Sequence, residues 1–280
     1  MKKQRDMVLR LDRKSGRLGK NFLILAVISW FLVMIIVPIS GILKQVVVNG
    51  FSVFFSSITT PEARHAFWLT SIITVSAIVI NTLLGIILAL VLVKQDFRGK
   101  LCVEGLLDLP FAVSPVVAGF MFVILFGPHG WIGSWFEARN IKIIYALPGM
   151  IIATLFVTLP FVAREVIPVL KEFGLDQEEA ASILGASKWQ TFWKVTLPSI
   201  KWGLIYGTTL TMARSIGEFG AVLVVSGSII NRTQTATLLI HQQFTDFNYA
   251  GAFSAAIVLA FLSFSLLITM KLIYSRKESR

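Results

Sequence analysis

The chain has 280 residues, 55 % of them hydrophobic, and a mean hydropathy of +0.77, which excludes a water-soluble globule and makes the bilayer the relevant solvent. Its 26 Lys and Arg against 15 Asp and Glu give a formal charge of +11; in a membrane protein that is an excess of cations on cytoplasmic loops, not a nucleic-acid surface. A single cysteine, Cys102, excludes an internal disulfide and a multi-cysteine metal site.

In chain order, a basic stretch of about twenty residues leads into an apolar run over 22–43. That run is too long for a signal-peptide core and is followed by no small-x-small cleavage site, so it reads as a retained first span. Further apolar runs over 66–93, 106–127, 143–166, 203–226 and 251–274 bring the expectation to six membrane helices. The chain divides as a basic tail over 1–21, one membrane domain over 22–274 and a short tail over 275–280.

Charge sets the orientation. Twenty basic residues fall in the two tails, in the loop carrying Lys94, Arg98 and Lys100, and in the region of Arg164, Lys171, Lys188, Lys194 and Lys201. Only Lys44, Arg64, Arg139, Lys142 and Arg232 fall on the other side, with Arg214 inside the fifth span. This asymmetry places both termini in the cytoplasm. Among the outer loops, the stretch from Trp131 to Trp135 has the aromatic content of a membrane interface. Pro110 and Pro115 in the third span, with Pro148 and Pro160 in the fourth, free carbonyls that must be satisfied by neighbouring helices or water. Asn81 in the second span can hydrogen-bond to another helix.

The inventory for catalysis is thin. His65, His129 and His241 share no metal-ligand spacing, no Gly-Lys-Ser/Thr phosphate loop is present, and no Ser-His-Asp arrangement can be argued. The fifth span, however, carries Arg214, Ser215 and Glu218. Arg214 and Glu218 stand four residues apart, and two ions at mid-membrane do not face lipid. They serve as a neutralising lock between helices or as a polar wall along a transport route. Gly217 and Gly220 beside Glu218 permit close backbone approach. Arg164 and Glu165 mark the water boundary at the inner end of the fourth span, or brace the cytoplasmic stretch beyond it.

That stretch, 174–198, is the one polar, well-punctuated interruption between spans. Asp176 and Glu179 have the spacing of a capping box, as do Ser187 and Gln190. Gly185 ends a first short helix, and a second carries Trp189, Phe192 and Trp193 on one side before Pro198 stops it by restricting Leu197. Two short helices about a glycine turn suit a socket on another protein.

Glu179-Ala180-Ala181, then Gly185, then Val195-Thr196-Leu197-Pro198 resemble the EAA signature of the membrane subunits of bacterial ABC importers, with Val195 where Ile is usual. The stretches LLDLPFAVSPVVAG (106–119), LPFVARE (159–165) and ARSIGEFGAVLVVSGSI (213–229) are similar to permeases of sulfate/thiosulfate importers of the CysW type. The resemblance implies an all-α type I ABC importer permease fold, with six transmembrane helices and a cytoplasmic coupling-helix loop. It also implies that Glu179, Ala180, Ala181, Gly185, Leu197 and Pro198 meet an ATPase subunit, while Arg214, Ser215 and Glu218 shape the translocation path or gate. No catalytic residue, metal or cofactor belongs to this chain; ATP and Mg reside on the ATPase subunit. The implied partners are a second, related permease, two ATPase copies and an extracytoplasmic sulfate-binding protein. A molybdate or tungstate permease remains an alternative, as does an ATP-independent six-span channel or secondary transporter.

Overall fold

A computed structural model of the chain describes residues 2–278, with side chains described over 20–265 and at 267–269 and 272. The side chains of residues 1–19 and of the tail 275–280 lie outside that description, and with them most of the cations assigned to the two tails. Every regular element among the described residues is helical.

The first helix, α1 (Lys2–Asn49), is followed by the short α2 (Phe51–Ile58) and then by α3 (Pro61–Lys94). Thr60 starts α3 by accepting from the Ala63 amide, with Pro61 at the position where its missing N–H costs nothing. The helices α4 (Lys100–Ala112) and α5 (Pro115–Phe126) follow, then α6 (Gly133–Glu137) and α7 (Leu147–Phe173). Beyond α7 come α8 (Asp176–Ile183), α9 (Lys188–Thr191), a π-helical turn over Phe192–Thr196, and α10 (Leu197–Ile216). The chain closes with α11 (Gly220–Ser226), α12 (Ala236–Thr245) and α13 (Tyr249–Glu278).

Four of the described helices are long and apolar enough to cross a membrane, over Lys20–Asn49, Pro61–Lys94, Leu147–Phe173 and Tyr249–Thr269, and the α4–α5 pair forms a fifth if counted as one. That pair is bent by 113°. The expected single helix over 106–127 is therefore an elbow: Val113 is extended, as a residue two before a proline-led helix can be, and Pro115 opens the second arm. Pro148 likewise lies in the first turn of α7, so only Pro160 and Pro168 interrupt that helix from within. The expected fifth span, 203–226, is broken as well, between Ile216 and Gly220.

The core is the bundle of α3, α7 and α10, on which α5, α11 and α12 close. Glycines bring the three axes together. A Cβ on Gly85 of α3 would stand 2.7 Å from the Val162 Cβ of α7, and one on Gly207 of α10 would stand 2.8 Å from the Val162 Cα. Val162 is thus gripped from both sides, with Ala89, Val166, Leu170 and Ile200 filling the same layer. Toward the other end Leu69, Ile73, Met150, Val222 and Leu238 form a second layer. Helix α1 adds little to this: most of its apolar residues from Phe22 onward are exposed, Val46 near its end is buried, and it packs chiefly against α2 and α13. That is the pattern of a helix whose surroundings are lipid.

Candidate functional site

Two groups of residues singled out from the sequence sit at different depths of the bundle. The first is the 174–198 stretch, at the end where α3 and α7 stop and α10 begins. Gly174, with φ of +69°, ends α7, and α8 follows at once. The capping box expected of Asp176 and Glu179 does not form. Leu175 takes the cap position, Asp176 is already inside the helix, and no side chain caps it. The acidic first turn of Asp176, Glu178 and Glu179 faces the positive helix end instead.

The C-terminus of α8 is as the sequence implies. Gly185 has φ of +83°, its amide donates to Ser182 O at 3.0 Å, and the Ala186 amide donates to Ala181 O at 3.0 Å. These two bonds make a Schellman turn, which needs the left-handed residue that glycine supplies. The turn leaves Ile183 and Leu184 86 % and 87 % exposed, an apolar tip with nothing over it. Ala180 is exposed and Ala181 half-buried. Glu179 is exposed and has no ion pair or side-chain hydrogen bond among the described residues.

The capping box of Ser187 and Gln190 is present in both directions, with Gln190 N to Ser187 Oγ at 3.3 Å and Ser187 N to Gln190 Oε1 at 2.9 Å. Trp189, Phe192 and Trp193 touch one another, with ring centroids 5.5–6.2 Å apart. Pro198 does not stop this helix. The Leu197 amide donates to Phe192 O, a turn one residue wider than α-helical, and α10 continues with Pro198 in its first turn. The wide turn makes room for the pyrrolidine ring and for the amide it lacks. Leu197 packs on the layer around Val162 and Ile200, so the Leu-Pro pair positions α10 and lies away from the exposed tip.

Sequence spacing did not reveal the residue that ties this stretch to the bundle. Glu178, not Glu179, turns inward: Lys94 Nζ donates to its Oε1 at 2.6 Å and Oε2 at 2.5 Å, and Thr196 Oγ1 donates to Oε1 at 2.6 Å. Lys94 is 84 residues away, so no local pattern could flag the pair. Arg164, expected at the water boundary or bracing this stretch, is half-exposed and braces α4, not this stretch. Its Nε donates to Asp108 Oδ1 at 2.8 Å, and its guanidinium lies 5.6 Å from the Phe111 ring.

The second group lies in the bundle. Arg214 is in α10, but Glu218 is beyond the helix end, in the break before α11. The pair is still made, with Arg214 Nη1 2.8 Å from Glu218 Oε2. The Glu218 side chain is 1 % exposed and that of Arg214 33 %. The break has its own cause: glycines at 217 and 220 weaken a helix, and Glu218 Oε1 accepts from the Ala221 amide at 3.0 Å, capping α11. Thr237 Oγ1 donates to Glu218 O at 2.7 Å, pinning the break to α12. Gly220 does admit a close neighbour, since a Cβ there would stand 3.1 Å from Pro115; Gly217 has no such neighbour.

Around this pair runs a buried polar seam. Ser215 Oγ donates to Thr211 O at 2.7 Å, and Asn81 Nδ2 donates to Leu155 O at 3.1 Å and to Thr158 Oγ1 at 2.7 Å. Asn81 thus joins α3 to α7. The void beside Glu218, lined by Thr70, Thr154, Ser215 and Thr235 among others, measures only about 10 Å³. That is room for about one water and for no oxyanion. The Arg214–Glu218 pair ties the last turn of α10 to the break that leads into α11, and a third of the Arg214 side chain remains exposed.

Residues 81–279 match the family of binding-protein-dependent transport system inner membrane components. The chain belongs to this family. It is an inner membrane component of a transport system, distinct from the ATPase that drives such systems. Over 257 residues the permease chain is 45 % identical to the sulfate transport system permease protein CysW of Synechocystis, spanning 91 % of this chain and 93 % of that one. It is 35 % identical over 243 residues to the sulfate transport system permease protein CysT of Escherichia coli, covering 87 % and 88 % of the two. Its fold matches a bacterial alginate ABC transporter, solved with an alginate pentasaccharide-bound periplasmic protein, at a TM-score of 0.77, with 17 % identity over 91 % of this chain and 93 % of that one.

Proposed function

We propose that this permease is one of two related membrane subunits of an ATP-driven importer that moves sulfate, thiosulfate or both into the cell. The names of its relatives supply the substrate: the CysW and CysT proteins it resembles are both sulfate transport permeases, and its greater identity to CysW casts a CysT-type chain as the second subunit. An extracytoplasmic binding protein delivers the anion, in the manner of the periplasmic protein bound to the alginate transporter. Two cytoplasmic ATPase copies hold the ATP and Mg.

One observation carries the mechanism: the exposed Ile183–Leu184 tip on a capped helix at the end of the α3, α7 and α10 bundle. An apolar tip of this kind at the cytoplasmic face offers a partner surface to cover. In this reading α8 is the coupling helix, Ala180 and Ala181 allow close approach, and Glu179 is free to pair with a cation of the ATPase. Both termini are cytoplasmic. The residues of 22–274 form the permease domain between the tails 1–21 and 275–280, with 174–198 as its coupling loop.

Reconstitution in proteoliposomes tests the whole reading. Sulfate uptake should require the second permease, the ATPase, the binding protein and ATP together. Uptake that persists without ATP overturns it in favour of a channel or secondary transporter. Uptake competed by molybdate but not by thiosulfate overturns the substrate assignment.

A further inference from the structure

Helix α8 has no buried residue and lies chiefly against α9 and the π turn. Apolar packing therefore does not fasten it to the spans that must move. Its polar connection does. We propose that Glu178 is the positioning residue that delivers a displacement of α8 to α3 and α10 together, an inference that rests on the importer reading above.

The geometry is specific. The Glu178 side chain is 15 % exposed and that of Lys94 26 %, while Thr196 is buried. Both carboxylate oxygens are used: Lys94 takes both, and Thr196 shares Oε1. Lys94 is the last residue of α3, the helix most extensively packed on α7. Thr196 is the last residue of the π turn and leads directly into α10. One carboxylate therefore joins the coupling helix to the ends of two core helices. Charge-assisted bonds of this kind are short and directional, so they transmit both push and pull, whereas an apolar contact transmits only push.

The π turn adds a compliant element at the right place. A five-residue turn lets a helix take up or release one residue of register, and such turns concentrate at functional sites. The Thr196 hydroxyl does not bond back to its own helix; it is given to Glu178. The two adjacent glutamates then divide the work. About 100° apart around α8, Glu179 faces outward to the motor and Glu178 inward to the spans.

The test uses the assembled complex with its ATPase subunits and binding protein, measuring ATP hydrolysis and sulfate uptake in one preparation. Glu178→Gln and Lys94→Met should each lower uptake per ATP roughly tenfold, the scale of a lost charged hydrogen bond, with the ATPase still co-purifying. Thr196→Val should give a smaller loss. The swapped pair Lys94→Glu with Glu178→Lys should recover most of it. A swap no better than either single variant, or an unchanged coupling ratio in Glu178→Gln, overturns the proposal.

A second readout is independent of transport. In a Cys102→Ala background, spin labels at Gln95→Cys and Gln177→Cys report the distance from the α3 end to α8. With Glu178 present the distance should stay fixed between nucleotide-free and vanadate-trapped complexes, and with Glu178→Gln it should change. A distance that changes in the presence of Glu178 refutes the tie. A native complex that assembles but imports no sulfate refutes the importer reading alone, because the distance measurement still stands.

Discussion

Arg214→Gln and Glu218→Gln should not be equivalent, although they break the same pair. Glu218 is almost fully enclosed, while a third of the Arg214 side chain reaches the surface. Removing Arg214 strands a carboxylate in the interior, and breaking a buried pair in this way costs about 3–5 kcal/mol. Removing the Glu218 charge leaves an arginine that can still reach solvent, and glutamine retains an oxygen for the Ala221 amide. The cost is then about 1 kcal/mol, the scale of a weakened helix cap. In Arg214→Gln with Glu218→Gln no charge is left in the interior, so the double variant should be more stable than Arg214→Gln alone by about 2 kcal/mol or more. Thermal midpoints of the complex in lipid nanodiscs, with the yield of assembled complex, rank the three variants. An Arg214→Gln complex that is as stable as the native one yet transports no sulfate would refute the argument and return Arg214 to the anion route.

Three further outcomes follow from the contacts. Gly207→Val should disrupt α10 against α7, because even a Cβ would stand 2.8 Å from the Val162 Cα; overpacking of about 1–3 kcal/mol should appear as a lower yield of monodisperse complex on size exclusion. Asn81→Leu removes two bonds from α3 to α7, yet such bonds in membranes average about 0.6 kcal/mol, so assembly should survive with a slightly lower thermal midpoint. Leu184→Asp removes no packing, since the side chain is 87 % exposed, and should leave the permease folded while the ATPase is lost on affinity purification; full retention of the ATPase would contradict the docking role of the tip.

The features legible in the sequence are those whose cause is local. A left-handed glycine at 185 and a Ser187–Gln190 box need only a few neighbouring residues, and both formed. The apolar runs are equally local, because hydrocarbon imposes the same demand on each segment in turn. Failures begin where a distant partner outbids a local preference. The Asp176–Glu179 spacing satisfied the capping pattern, but the α8 start is set by Gly174 and by Glu178 reaching Lys94 across 84 residues. The Arg214–Glu218 spacing satisfied the helical pattern, but Glu218 caps α11 and is held by Thr237 of α12, so the helix breaks between the two charges.

The same contrast explains why the two polar groups of this permease differ in character. In the interior, the buried Glu218 is matched within the chain by Arg214, a backbone amide and a hydroxyl on its own carbonyl. An unmatched charge there would be expelled or would disorder the bundle. At the end where α3 and α7 stop, water can hold an unmatched carboxylate at little cost, and among the described residues Glu179 has no partner while its neighbour Glu178 is fully engaged. An exposed carboxylate beside an exposed Ile183–Leu184 tip is a surface with charge and apolar area both to spare. A partner that covers the tip and sets a cation opposite Glu179 uses both, so Glu179→Lys should weaken ATPase docking more than Glu179→Gln does. Equal retention of the ATPase by both variants on affinity purification would show that this carboxylate faces no cation.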